Sequence, residues 1–219
     1  MVHASMRAVG ERAEEVVQAL LTALGPEGTL MAYVDFEATD DVPAFDLAAS
    51  PAAREYGVLA EVVRRWPGAV RSTNPGASMA ATGSQARWLC ADHPLNYGYG
   101  PGSPLAKLVS MDGKVLLLGS HFDHVTLLHY AEHVARIPNK RVVQYEVRAT
   151  TGSVLDIEEF DTSGGVVAEM PEAYFERIVR AFVDGGHARS GRVGHATAYL
   201  FEAAKLVSFA VDELERDFA

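Results

Sequence analysis

The stretch "TLLHYAEHVARIP" (126–138) contains His-x-x-Glu-His at His129, Glu132 and His133. That string is a zinc-hydrolase signature, the inverted form of the zincin motif. On a helix, residues three and four apart share a face, so His129 and His133 are spaced to bind one zinc. A catalytic zinc also needs a third protein ligand, and no other His or acid stands at a spacing that marks it as one. The plainer reading is a polar helix face turned partly to water. Leu127, Leu128, Ala131, Val134 and Ala135 form an apolar stripe, with both histidines on the far side of it. A third reading comes from "SHFDHVTLLH", which follows the apolar strand "KVLLLG". In α/β proteins ligands gather at the carboxyl ends of strands. His121, Asp123, His124 and His129 then border a cleft, and a histidine oriented by an acid is a good general base.

Other polar clusters carry weaker signals. "DFEATDDVPAFD" holds Asp35, Glu37, Asp40, Asp41 and Asp46 in a loop after a strand, suited to a polyamine, a divalent cation or plain solvent, without EF-hand spacing. The Gly-containing turns "NPGASMAATG" and "GRVGHA" match neither a P-loop nor G-x-G-x-x-G, and no G-x-S-x-G elbow occurs. Cys90, between "RWL" and "ADHP", is not read as an acyl-cysteine.

Helices and strands alternate along the chain. Helical spacing runs over 11–24, 54–67, 84–92, 103–113, 125–137 and 171–186. Ser103 is placed to cap the fourth of these, with Pro104 at its first position. Strands are expected at 29–36, on both sides of the Asn74-Pro75-Gly76 turn, and at 114–119, 141–150 and 153–161. "VHAS" is too short for a normal strand, and the stretch after 186 mixes strand pieces with a closing helix. The class is α/β, a central mixed β-sheet flanked by helices, with 1–219 forming one domain. Apolar residues make up 48% and charged residues 22%, as in soluble globular proteins. A net charge of −10 disfavours nucleic acid and favours a cationic small molecule. One cysteine and the lack of a long apolar run point to a reducing, cytoplasmic setting with no membrane span.

Read in order, several segments resemble the aminoglycoside 3-N-acetyltransferase family. They are "VHASMRAVG", "ALGPEGTLMAY", "PAFDLAASPAAREYGVLAE", "WPGAVRSTNPGASMAATG", "GPGSPLAKLV", "GKVLLLG", "VTLLHYAEHVARIPNKR" and "GRVGHATAYLF". The resemblance implies an antibiotic N-acetyltransferase fold, acetyl-CoA as co-substrate, no metal, an aminoglycoside as acceptor, and a monomer or homodimer. It implies His129 as the catalytic histidine, with Glu132 to orient it and Asp161 beside it. Asp40, Asp41, Tyr99, Asp123 and Glu159 fall on the substrate side, and His3, Ser5, Arg7, Ser72 and Ser78 on the coenzyme A side. His133 then becomes replaceable without harm. The remaining alternatives are a same-fold enzyme acting on another amine and the zinc hydrolase. Two departures stand out. Many members have His-Pro where this chain has Asn74-Pro75. Members also have a helix and a strand start before "VHAS", where this chain begins, and here the loop after "MAYVDF" is shorter and the "VG–ER" junction looks clipped.

Overall fold

The structure is a computed structural model describing residues 1–219. Its strands are β1 (Val2–Ala4), β2 (Thr29–Tyr33), β3 (Val70–Arg71), β4 (Met79–Gly83), β5 (Lys114–Leu118), β6 (Val142–Arg148), β7 (Val154–Phe160), β8 (Arg189–Val193) and β9 (Ala196–Glu202). The helices are α1 (Met6–Val9), α2 (Ala13–Leu24), α3 (Gly57–Arg64), α4 (Ala86–Cys90), α5 (Pro104–Ser110), α6 (Leu127–Val134), α7 (Tyr174–Asp184) and α8 (Ala203–Phe218). Short 3-10 turns at Arg54–Tyr56 and Phe122–His124 lead towards α3 and α6.

The α/β class holds, and the strands divide among three sheets. A mixed four-stranded sheet runs in the order β1-β5-β9-β8, with β1 parallel to β5 and the other pairs antiparallel. A second sheet, β2-β4-β3, and a hairpin, β6-β7, are antiparallel. The three-residue "VHA" becomes a strand because it lies beside β5, Val2 opposite Leu116 and Ala4 opposite Leu118.

The apolar run of β5 is buried from both sides. Val115 and Leu117 join Phe201, Leu127, Leu128, Leu206 and Ala210 in one cluster. Leu118 joins Val2, Val9, Val17, Leu59 and Val63 in the other. A strand covered on both faces needs an unbroken apolar sequence, which "VLLL" supplies. Ser103 caps α5 as expected, its hydroxyl accepting the Ala106 N–H at 3.1 Å.

Because β1 and β5 are parallel, their carboxyl ends open at the same edge. One continues through Ser5 into the start of α1, the other into Ser120–His124. Between them Gly119 has φ of +65°, and a Cβ there would lie 2.8 Å from the Ala196 Cβ and 2.9 Å from the Ala8 Cβ. Only glycine lets β5 end this tightly.

Candidate active site

A cavity of about 670 Å³ opens at these strand ends. Its wall includes His3, Ser5 and Arg7 from one strand exit and Ser120, His121, Asp123 and His124 from the other. Tyr33, Tyr56 and Tyr99 line it too, as do Gly57 and Val58 at the start of α3. A second cavity, of about 440 Å³, is lined by Glu132, Glu172, Tyr174 and Phe175. Asp123, His129, Thr162 and Ser163 border both.

His129 stands in the first turn of α6, where the helix leaves the strand-exit loop. Its Nδ1 lies 2.8 Å from Glu132 Oε2, one turn on. Leu127, Leu128 and Ala131 on the same helix are buried, which seats Glu132 in the interior at 3% exposure. A buried carboxylate needs a donor, and His129 Nδ1–H is the one it has here. That bond selects the tautomer whose lone pair is on Nε2. The rings of Tyr99 and Phe175 flank the imidazole, each with its centroid 4.9 Å away.

His133 differs from the sequence expectation. It is not on a solvated face: its side chain is 5% exposed, with Nε2 2.8 Å from Glu159 Oε1. Val134, placed in the apolar stripe by periodicity, is instead 38% exposed. The reason is the β6-β7 hairpin and the 93–104 loop, which pack over this side of α6. The His133 ring lies 4.5 Å from that of Phe160 and 5.9 Å from that of Tyr97. Since His129 Nδ1 and His133 Nε2 are each taken by a different carboxylate, the two do not converge on one ion. No group of three His, Cys, Asp or Glu side chains is arranged to hold one.

Glu159 likewise lies away from both cavities. It is 4% exposed and accepts the backbone N–H groups of Tyr99 at 3.3 Å and Phe160 at 2.8 Å in addition to His133. Asp161 does not line either cavity. Its Oδ1 accepts the Ser163 N–H at 3.1 Å and the Gly164 N–H at 2.7 Å, while Arg141 meets Oδ2 at 2.6 Å. The Gly164 N–H foremost, then the Ser163 hydroxyl and Arg141, hold the Asp161 carboxyl below the usual range against the opposing effect of burial. Asp161 therefore shapes the turn that presents Thr162 and Ser163 to both cavities.

Ser72 and Ser78, expected on the coenzyme A side, are fully buried. Ser72 accepts the Met79 N–H at 2.9 Å and bonds His93 Nδ1 at 2.8 Å. Ser78 donates to the Val34 carbonyl at 3.0 Å and accepts from Arg71 at 3.1 Å. Neither hydroxyl reaches the cleft. Asp40 and Asp41 are exposed on the 37–50 loop and line neither cavity. Asn74 is also interior: its amide donates to the carbonyls of Pro94 and Leu95 and accepts the Gly76 N–H. His3, Ser5, Arg7, Tyr99, Asp123, His129 and Glu132 do line a cavity. Tyr33, Glu55, Tyr56, Thr126, Thr162, Ser163 and Glu172 join them without having been singled out from sequence. Of these, only Thr162 and Ser163 carried a local signal, being the residues after Asp161 in a Gly-rich turn.

A family model described as aminoglycoside 3-N-acetyltransferase matches residues 1–215. The chain belongs to this family. It is an acyltransferase, as are the relatives that share its whole length. The aminoglycoside N(3)-acetyltransferase III of Pseudomonas aeruginosa is 42% identical, covering all of this chain and 87% of its own. The aminoglycoside N(3)-acetyltransferase VIII of Streptomyces fradiae is 40% identical over 98% of this chain and 85% of its own. Among solved structures, AAC-IIIb in binary complex with CoASH superposes with a TM-score of 0.95 at 45% identity, covering all of this chain and 90% of that one. AAC-VIa bound to sisomicin gives 0.91 at 37%, over all of this chain and 91% of its own. The alignment to the Pseudomonas acetyltransferase runs over 240 residues against the 219 here, so that relative carries residues inside the matched span that this family member lacks.

Proposed function

We propose that the protein transfers the acetyl group of acetyl-coenzyme A to the 3-amino group of the 2-deoxystreptamine ring of aminoglycosides, a reaction that confers resistance. The observation that carries this reading is the position of His129, bordering two cavities of unlike lining. The larger has Arg7 for phosphate and the apolar Met6, Val58 and Leu59 for a pantetheine arm. The smaller presents Asp123, Glu132 and Glu172, suited to the ammonium groups of a polycation. One relative is solved with CoASH and another with sisomicin, so ligands of both kinds bind to similar chains.

The chemistry follows from the tautomer. The acceptor amine is an ammonium near neutral pH and has no lone pair to offer. His129 Nε2 takes one proton from it, with Glu132 holding the resulting imidazolium through Nδ1. The nitrogen lone pair then forms the bond to the thioester carbon. The carbon–sulfur bond breaks and the electron pair leaves on sulfur; the second proton shed by the nitrogen passes to that sulfur to give the coenzyme A thiol, and the His129 imidazolium releases its proton to solvent. Tyr99 and Phe175 hold the imidazole plane, and Asp123 sits where a second ammonium of the acceptor can be met. Asp161 acts at one remove, by setting the Thr162–Ser163 turn.

A thiol-release assay with acetyl-coenzyme A and a panel of aminoglycosides tests the proposal, with mass and nuclear magnetic resonance analysis of the product. Thiol released in step with 3-N-acetylation supports it. Absence of release with every aminoglycoside, or acetylation at another amine, refutes it.

A further inference from the structure

The larger cavity is poor in fixed positive charge. Among its lining residues Arg7 is the sole lysine or arginine, while His3, His121, His124 and His129 all contribute. Coenzyme A brings a pyrophosphate and a 3′-phosphate, more negative charge than one arginine balances. His121 and His124 flank the turn that leaves β5 at the cavity mouth, and both are exposed. Their ring centroids are 5.7 Å apart in an edge-on arrangement. His124 Nδ1 meets the Ser120 hydroxyl at 3.2 Å. Its Nε2, and both nitrogens of His121, have no hydrogen-bond partner in the protein. These histidines differ from His129 and His133, each of which has one ring nitrogen engaged by a carboxylate.

We propose that His121 and His124, together with Arg7, hold the phosphates of coenzyme A, so that coenzyme binding is linked to proton uptake by this pair. The inference rests on the reading that acetyl-coenzyme A occupies the larger cavity. An imidazole can take up charge near neutral pH, and a phosphate beside it favours the charged form. Charged groups of both signs surround the pair. Asp123 on the same turn and Glu55 across the cavity are the acids that line it with the pair. Arg7, His129 and the buried His3 stand in the same cavity wall, and of these Arg7 carries the fixed charge. From α7, Arg180 lies over the Phe122 ring at 5.5 Å and is paired with Glu176, which offsets its charge.

Calorimetric titration of the full chain with coenzyme A at about pH 6 and about pH 8 tests the proposal, with pantetheine as the phosphate-free comparison. Wild type should bind coenzyme A roughly three- to tenfold more tightly at the lower pH, the worth of two solvent-accessible charge pairs. His121→Gln/His124→Gln should lose that gain, and pantetheine should show none with either protein. Arg7→Gln should weaken binding alike at both pH values and keep the gain, because its charge is fixed. The 3′-phosphate titrates near pH 6 itself, but identically for every variant, so it cancels between them. A double variant with the wild-type gain, or an equal gain with pantetheine, overturns the histidine anchor while leaving the acetyl-coenzyme A assignment intact. Wild type that binds no coenzyme A at either pH overturns both.

Discussion

Helix α6 carries two histidine–carboxylate pairs one turn apart, and by distance alone they are the same. His129 meets Glu132 at 2.8 Å and His133 meets Glu159 at 2.8 Å. The partner and the surroundings differ. Glu132 belongs to the same helix and leaves the His129 ring at the edge of two cavities, 19% exposed. Glu159 belongs to β7 and draws His133 into the interior, where the pair ties α6 to the hairpin. An acid beside a histidine therefore does not mark a catalytic site by itself. Access by a ligand to the free ring nitrogen does.

Substitutions can break this contrast. His129→Ala should lower turnover by about 10²–10⁴, the usual worth of acid–base catalysis. It also leaves the buried Glu132 without its donor, so the thermal midpoint should fall too and turnover is read per folded molecule; steady-state kinetics near wild type would remove His129 from the chemistry. His133→Ala should act on stability, by about 3–5 kcal/mol, since it takes the side-chain partner from a buried carboxylate and leaves it two backbone N–H groups. Chemical denaturation reads this, and turnover per folded molecule should survive; loss of turnover with unchanged stability would reverse the roles of the pair.

His93 sharpens the contrast as a histidine buried without any carboxylate. Burial, foremost, pushes it down to about 4 from an ordinary value of 6.5. Between those values the unfolded chain binds the proton and the folded chain does not, so stability falls as pH falls through this window. The loss should approach roughly 3 kcal/mol below the lower value. His93→Gln should flatten that part of the stability–pH curve, and an unaltered slope would point to other groups. The mildest effect is expected for Glu132→Gln, which keeps a hydrogen-bond acceptor on Nδ1 but removes the charge that steadies the imidazolium. Its turnover should fall about tenfold, in line with removing a supporting partner. A loss as large as that of His129→Ala would make Glu132 indispensable rather than supporting.

The sequence made some of this legible and hid the rest for definable reasons. The Ser103 cap, the β5 strand and the placement of His129 at a strand exit all follow from local rules of capping, hydrophobic run and topology. Periodicity on α6 put Leu127, Leu128, Ala131 and Ala135 in the core correctly. It misplaced His133 and Val134 because a second packing partner, the β6-β7 hairpin, arrives from residues far along the chain. The split into three sheets was hidden for the same reason, since pairing partners are set by long-range contacts. Tyr33 and Tyr56 read as ordinary core or helix residues. Only the fold shows that they share a wall with Tyr99.

The turn built by Asp161 has a consequence for how the two ligands sense one another. Its N–H groups are engaged by the carboxylate in the protein itself, so the Thr162–Ser163 segment is already ordered between the cavities. The entropy of ordering that segment is lost on folding and need not be lost again on binding. A ligand that finds the partition in place gains nothing from the other ligand having arrived first. Through this segment, acceptor and coenzyme should bind independently, and their order of arrival should carry no thermodynamic advantage.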